Sequence, residues 1–349
     1  MAFDLYVTAS GLIIGILFGY ILQRGRLCFN SAFRDPLLYK EYSLLQAICF
    51  ALALSMIGFA VMGFAGIVTL APKPLIWPDQ IVGGFVFGMG MVLAAACASG
   101  VTYKTGEGIM TAFMGLLGLS LGGMTANTGW LSVARNAVEA DSAFNLGAVT
   151  FGGDFNLFLM LGLGVLATII IVWKWMLPAY AEWKAEGQFS LRTSGWPWFI
   201  TGIAFAILNM IAWPLSAMAG RNYPLGIVAG WIGVLNGFFA ADAEAVVSFG
   251  WLSWVVMGLI LGSFIGAKIA GEYKIVSPKT GKPILLAFFG GLMLGTGAVF
   301  GKGCNIGNLM SGIPQLSAGS WLFSIFLVLG VWFMAYLIFK VLNKAEIFE

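Results

Sequence analysis

Ten apolar stretches fill most of this 349-residue chain, near residues 7–23, 44–70, 80–97, 108–125, 155–177, 197–213, 225–240, 251–270, 284–301 and 319–341. Several exceed the ~20 residues that an α-helix needs to cross a bilayer core. Hydrophobic residues make up 60% of the chain and charged residues 9%, whereas a soluble domain carries about 25% charged residues. In hydrocarbon every backbone polar group needs a partner inside the protein, which leaves helices or a closed barrel. The stretches are continuous rather than short and alternating, which argues against a barrel. The expected fold is an all-α polytopic membrane protein.

Charge in the connecting segments orients the spans. Met1 to Asp4 carry no basic residue, so the first stretch reads as a retained span and not as a signal peptide. Arg24, Arg26, Arg34 and Lys40 follow it and mark a cytoplasmic loop, which puts the N-terminus outside. Residues 127–154 then fall outside and are acidic on balance, with Glu139, Asp141 and Asp154 against Arg135. Lys174, Lys184 and Arg192 fall inside. If 225–240 crossed, Lys268, Lys274, Lys279 and Lys282 would lie outside. If it enters and leaves on one face, they return to the cytoplasm, together with Lys340 and Lys344. The expectation is about nine transmembrane helices, N-out and C-in, with 225–240 as a re-entrant piece buried in protein. The net charge of +3 is small and is spent on topology, so nucleic acid is not an expected partner.

One phrase occurs twice. Gly83-Gly84, Gly88, Gly90, Cys97 and Gly100 return as Gly290-Gly291, Gly295, Gly297, Cys304 and Gly307, all at a spacing of 207 residues (97 to 304). On the topology above, the two copies cross in opposite directions. A weaker echo pairs Gly25-Arg26 with Gly220-Arg221. Inverted repeats of this kind build secondary transporters, with substrate bound at the repeat interface. The expectation is a single transport domain over 1–349, made of halves 1–178 and 196–349.

Histidine is absent, and the four cysteines form no CxxC. Zinc sites and thioredoxin-like chemistry therefore lack their usual spacing, and no cofactor or metal site is expected. Cys97 lies in AAACASG, Cys304 in GKGCNIG and Cys28 in QRGRLCFN; Cys49 sits in an ordinary span and reads as packing. Gly100 and Gly307 follow the duplicated cysteines and suit backbone where a helix breaks and restarts. Such a start aims free N–H groups at an anion. Arg26 and Lys302 sit two residues before their cysteines, and Asn305, Asn308 and Asn30 supply neutral donors. These groups are candidates for stabilising an anion. Gly11, Gly15 and Gly19 read as close helix packing. Asp242, Glu244 and Glu107 are the acids available for proton coupling. From the residues alone a sulfur-anion pathway, a Cu(I) transporter, a membrane thiol oxidoreductase and a scaffold remain open.

The motifs GRLCF at Gly25 to Phe29, AAACASG at Ala94 to Gly100 and GKGCNIG at Gly301 to Gly307, in this order, resemble the YeeE/YedE sulfur-transport membrane proteins over nearly the whole chain. The resemblance implies a non-enzymatic uptake of thiosulfate through the bacterial inner membrane, with selenium compounds or other sulfur species as alternative substrates. It implies a central pathway lined by Cys28, Cys97 and Cys304, and a small TusA-like sulfur carrier acting on the cytoplasmic side. The family often has Gly-Gly before its motif cysteines, where this chain has Ala95-Ala96 and Lys302-Gly303. The expected mechanism is a relay of S–H hydrogen bonds. Cys97 and Cys304 would face each other near the midplane, and Cys28 would lie toward the cytoplasm.

Overall fold

The computed structural model describes residues 5–186, 195–239 and 249–341. In chain order the helices are α1 (Leu5–Arg24), α2 (Phe29–Leu38), α3 (Ser43–Phe64), α4 (Trp77–Leu93), α5 (Ala98–Gly106), α6 (Met110–Asn127), α7 (Leu131–Ala140), α8 (Asn156–Ile171) and α9 (Leu177–Glu186). They continue with α10 (Trp198–Met218), α11 (Val228–Phe239), α12 (Trp251–Ile269), α13 (Lys282–Phe300), a π-helical stretch (Ile306–Gly312) and α14 (Ala318–Tyr336). Strands β1 (Pro74–Ile76) and β2 (Asn145–Ala148) pair antiparallel. Among the described residues, eight helical segments are long and apolar enough to span a bilayer. The 18-residue α6, packed along α13, falls outside that set, so the all-α polytopic fold is as expected while the spans number eight against the nine expected.

Glycines set the central crossing. A Cβ built on Gly83 would lie 2.7 Å from the Gly297 carbonyl oxygen, and one on Gly90 would lie 2.7 Å from that of Gly290. Helices α4 and α13 therefore run antiparallel in backbone contact, and the two contacts interchange under the 207-residue spacing. A side chain at any of these positions must push the helices apart, since small residues are what permit such an approach. Helix α6 lies parallel to α13 (Gly118 against Phe288, Gly122 against Leu292), and α14 lies parallel to α4 (Gly84 against Phe323, Gly88 against Leu327).

The flanks follow the same logic. Helix α12 runs parallel to α1, with Gly15 against Val255 and Gly19 against Leu259. Helix α10 runs antiparallel to α1: Tyr6 Oη donates to the Leu215 carbonyl at 3.3 Å, and Phe18 stacks on Phe205 with centroids 5.4 Å apart. So α10 ends on the face where α12 begins, and the 12-residue α11 between them does not cross. The re-entrant reading of 225–240 stands for its described part. Helix α3 is parallel to α10, with Ala47 against Gly202 and Ser55 against Asn209. The short α2 therefore also returns to its own face.

These directions define two faces. One carries the α1–α2, α4–α6 and α12–α13 connections and is called here the Cys28 face. The other carries the α3–α4, α6–α8, α10–α12 and α13–α14 connections, with β1, β2 and α7, and is the Cys304 face. Among the described residues every Lys and Arg lies at the Cys28 face except Lys73, Arg135, Arg221 and Lys302.

Candidate functional site

Each of the three motif cysteines follows the same turn. Arg26, Ala95 and Lys302 adopt left-handed backbone with φ of 50°, 52° and 57°, and each stands two residues before its cysteine. In each case two backbone bonds close the preceding helix. They are Arg26 N to Gln23 O with Leu27 N to Leu22 O, Ala95 N to Val92 O with Ala96 N to Met91 O, and Lys302 N to Val299 O with Gly303 N to Ala298 O. This is a helix C-cap with a left-handed residue, where glycine is usual. It accounts for a Gly preference before the cysteines. The cysteine then opens a new short helix: its carbonyl accepts from Ala32 N at 3.0 Å, Val101 N at 2.8 Å and Asn308 N at 2.9 Å, respectively.

The same turn also caps α3 at Gly66, α5 at Gly108 and α12 at Gly271, and the copy that caps α10 is the one that the echo of Gly25-Arg26 sets against the turn before Cys28. Gly220 has φ 83°, and Gly220 N and Arg221 N bond to Ala217 O and Ser216 O. By backbone geometry Gly220 matches Arg26, one residue out of register with the echo of Gly25-Arg26 in Gly220-Arg221.

The Cys28 and Cys97 thiols are neighbours, close enough to interact. A Cβ on Gly100 would lie 3.2 Å from Cys97 Sγ and 3.5 Å from Cys28 Sγ, so the missing side chain leaves the space that both sulfurs border. Gly100 N donates to Cys97 Sγ at 3.3 Å, and Ser99 Oγ lies 3.3 Å from the same sulfur. Both thiols are buried, as is Cys304.

Cys304 stands elsewhere. Gly301 N packs on Gly83, whereas Ala94 N packs on Gly290. Between Gly83 and Ala94 the chain of α4 rises ~1.5 Å per residue, or about 16 Å. The partner of Cys97 is thus Cys28, and the expected Cys97–Cys304 pair is not formed. The cause is the antiparallel crossing, which carries the two equivalent turns to opposite ends of the contact. Helix α11 touches both regions: Val228 and Ala229 line the Cys304 cavity, and Trp231 Nε1 donates to Thr102 Oγ1 in α5 at 3.0 Å.

A cavity of about 270 Å³ opens beside Cys304, bordered by Lys73, Arg221, Tyr223, Lys302, Gly303 and Gly307. Lys73 Nζ donates to Asn308 Oδ1 at 3.2 Å, and its ammonium is 5.2 Å from the Tyr223 ring centroid. The Arg221 guanidinium is 5.4 Å from the same ring and donates to the Tyr223 carbonyl at 2.7 Å and the Pro224 carbonyl at 2.5 Å. Tyr223 Oη donates to the Gly307 carbonyl at 2.8 Å. Burial pushes the Lys73 pKa down to about 7, with the Cys304 side opposing and Arg221 adding to the fall. Burial likewise lowers Arg221 to about 10. Among the described residues no carboxylate lies within ion-pair distance of either cation.

The remaining candidates divide by what they touch. Asn308 fastens the turn, donating to Gly301 O at 3.0 Å and Gly303 O at 2.7 Å. Gly307 leaves room for the Lys73 ammonium, 3.1 Å from where its Cβ would stand. Asn305 and Asn30 are fully buried, and neither side-chain amide has a hydrogen-bond partner among the described residues. Buried polar groups are normally satisfied, so both are suited to meet a polar guest. Lys302 lines the cavity but is bonded to Glu139. Arg26 is half exposed and, with buried Arg24, holds Glu272, at 3.0 and 2.9 Å. Asp242 and Glu244 lie outside the described residues. Sequence reasoning passed over Lys73 and Tyr223 and used Arg221 only as an echo. The available signal was positional: these cations sit on the face that charge asymmetry should have emptied.

A family model described as sulphur transport matches residues 24–333. The chain is 39% identical over 335 residues to the thiosulfate transporter TsuA of Spirochaeta thermophila, covering 95% of this chain and 99% of that protein. It is 29% identical over 340 residues to the thiosulfate transporter TsuA of Escherichia coli, covering 95% and 94%. A probable transporter of Salmonella typhimurium, YedE, is 37% identical over 99 residues, 28% of this chain and 24% of that one. With nine-tenths of its length matched and its cysteine turns repeated at both ends of one helix crossing, the chain belongs to the sulphur-transport family of membrane proteins.

Proposed function

We propose that this protein takes up thiosulfate, or a closely related sulfur anion, through the bacterial inner membrane. The anion enters at the Cys304 cavity, where the Cys304 S–H group holds it, and passes along α11 to the Cys97–Cys28 pair, where S–H hydrogen bonds hold it again. The Cys28 face, which holds most of the positive charge, is cytoplasmic under the positive-inside rule. That orientation puts the N-terminus outside and the C-terminus inside. Residues 1–178 and 196–349 act as two inverted halves, and a TusA-like carrier would receive sulfur at the Cys28 face.

The observation that carries this reading is the placement of the four off-side cations. Lys73, Arg221 and Lys302 border the Cys304 cavity, and Arg135 borders the space next to it. Basic residues retained against the topological bias, gathered around a thiol, suit an anion with a polarizable sulfur. An unpaired dianion in hydrocarbon is prohibitive, and conduction needs sites that admit the ion yet release it. Cations serve at the entrance, and neutral thiol donors serve inside. Hydrogen-bonded handover leaves the S–S bond of thiosulfate intact and needs no oxidant.

Uptake of radiolabelled thiosulfate in cells lacking other routes tests the proposal. Cys28→Ala, Cys97→Ala and Cys304→Ala each remove most uptake, and Cys49→Ala does not. Competition by sulfate, sulfite and selenite fixes the substrate class. Normal uptake in Cys97→Ala and Cys304→Ala overturns the relay, and equal competition by sulfate removes the special role of the thiols.

A further inference from the structure

Lys302 belongs to two cavities. One is the Cys304 cavity. The other, about 280 Å³, is bordered by Asn127, Arg135, Glu139, Ala298 and Val299, and shares Val228, Ala229, Lys302 and Gly303 with the first. In the second cavity the Lys302 ammonium is bonded to Glu139 Oε1. Arg135 Nε lies 3.0 Å from the same oxygen, outside hydrogen-bond geometry, and donates through NH1 and NH2 to Asn127 Oδ1 and Asn136 Oδ1. Buried Asp79, in the first turn of α4, lies close enough to this group to feel all three charges. Two cations and two acids balance there. Lys73 and Arg221, facing the same guest, have no acid among the described residues.

The two partners of the Lys302 pair are anchored unequally. Lys302 is fixed by a capped turn between α13 and Cys304. Glu139 is carried by α7, which has no buried residue and rests on α6, α4 and β2. Both side chains keep contact with water, at 18% and 29% exposure. A pair of that kind is worth only ~0–1 kcal/mol, so an anion of equal or greater charge can take the place of Glu139 with little loss.

We propose that Glu139 is a displaceable counter-ion: it holds Lys302 when the cavity is empty, yields it to the entering anion, and reclaims it when the anion moves on. Glu139 thereby sets how tightly this mouth holds its substrate. The inference rests on the transport reading above and deepens it. It explains why a lysine beside the thiol carries an acid partner when, among the described residues, the other two cations of the cavity have none.

The test compares wild type, Glu139→Gln, Lys302→Gln and the double variant in two assays. These are thiosulfate uptake in cells and thiosulfate binding by the purified protein in detergent. Glu139→Gln removes the competitor, so half-saturation falls roughly five-fold, the ratio that ~1 kcal/mol represents, and the maximal rate falls because nothing reclaims Lys302. Lys302→Gln raises half-saturation, and in its background Glu139→Gln changes nothing further. If Glu139 only anchors α7, both single variants lower thermal stability and leave half-saturation unchanged, which overturns the inference while wild-type uptake stands. Wild-type protein that neither binds nor imports thiosulfate defeats the transport reading itself.

Discussion

Gly100→Ala isolates the Cys28–Cys97 space from every other feature of the fold. The new methyl would stand 3.0 Å from Ala96 Cβ, 3.2 Å from Cys97 Sγ and 3.5 Å from Cys28 Sγ. The first two contacts need shifts of a few tenths of an ångström, and overpacking of that size costs about 1–3 kcal/mol. Gly100 has ordinary helical backbone in the first turn of α5, and alanine there returns ~1 kcal/mol of helix propensity. The net loss is therefore ~0–2 kcal/mol, small enough for a folded protein. The same methyl fills the point that both sulfurs border. If a substrate sulfur passes by hydrogen bonds to these two thiols, uptake falls at least ten-fold, as in Cys97→Ala. The assay is initial-rate thiosulfate uptake, with membrane abundance checked by immunoblot and melting measured in detergent. A Gly100→Ala protein that is present, stable and fully active would refute the claim that substrate uses this space.

Three further outcomes follow from the geometry. Ala95→Gly replaces an alanine at φ 52°, where an L-residue costs roughly 1–2 kcal/mol. Its detergent melting temperature should rise, and a fall would show that the turn is held by other means. Mild oxidation of the Cys49→Ala variant should link Cys28 to Cys97 and leave Cys304 alkylatable, as peptide mass spectrometry reads directly; a Cys97–Cys304 bridge would contradict the observed pairing. Lys73, with its pKa lowered to about 7, is mostly charged at pH 6 and mostly neutral at pH 8. Thiosulfate binding by purified protein should therefore weaken as pH rises through 7, and Lys73→Gln should flatten that profile. Between pH 7 and 10.5 the folded state holds fewer protons at Lys73 than the unfolded state, so this residue favours stability as pH rises through that window.

Composition and apolar length specified the helical class because the bilayer permits so few alternatives. Charge asymmetry located the re-entrant piece because one misplaced crossing would have stranded four lysines. The repeated Gly–Cys phrase marked the cysteine turns, since glycine spacing reports close helix approach and a helix break. Which thiols meet was not legible, because spacing of 207 residues states equivalence and not contact. Under an antiparallel crossing, equivalent points move apart, and Cys97 finds Cys28 from a different helix. Lys73 was hidden for a related reason: it sits in a Pro-flanked loop of no repeated pattern, and only folding brings it over Gly303 and Gly307.

The unequal chemistry of the two ends follows from the turn that caps α10. Each of the three motif cysteines stands two residues past the left-handed position of its turn, and the α10 turn places Asn222 there, bonded to Trp213 and Thr69 and thus committed to packing. The Cys304 end accordingly lacks a second thiol, and Arg221, Tyr223 and Lys73 fill the region around it. In the proposed direction this asymmetry has a use. Cations concentrate a dilute dianion from water, where long-range charge dominates the encounter. Two neutral thiols past them hold it weakly and by its sulfur, so the gradient of affinity need not trap it. Reversing the chemistry, with cations inside and thiols outside, would sacrifice capture and slow release together. On the proposed function, the two inverted halves share their backbone turns and differ at the side chains where transport requires it. Asn222→Cys should leave uptake unchanged, because that side chain faces Thr69 and Trp213 and not the cavity. A marked gain or loss in thiosulfate flux would put the α10 turn on the pathway after all.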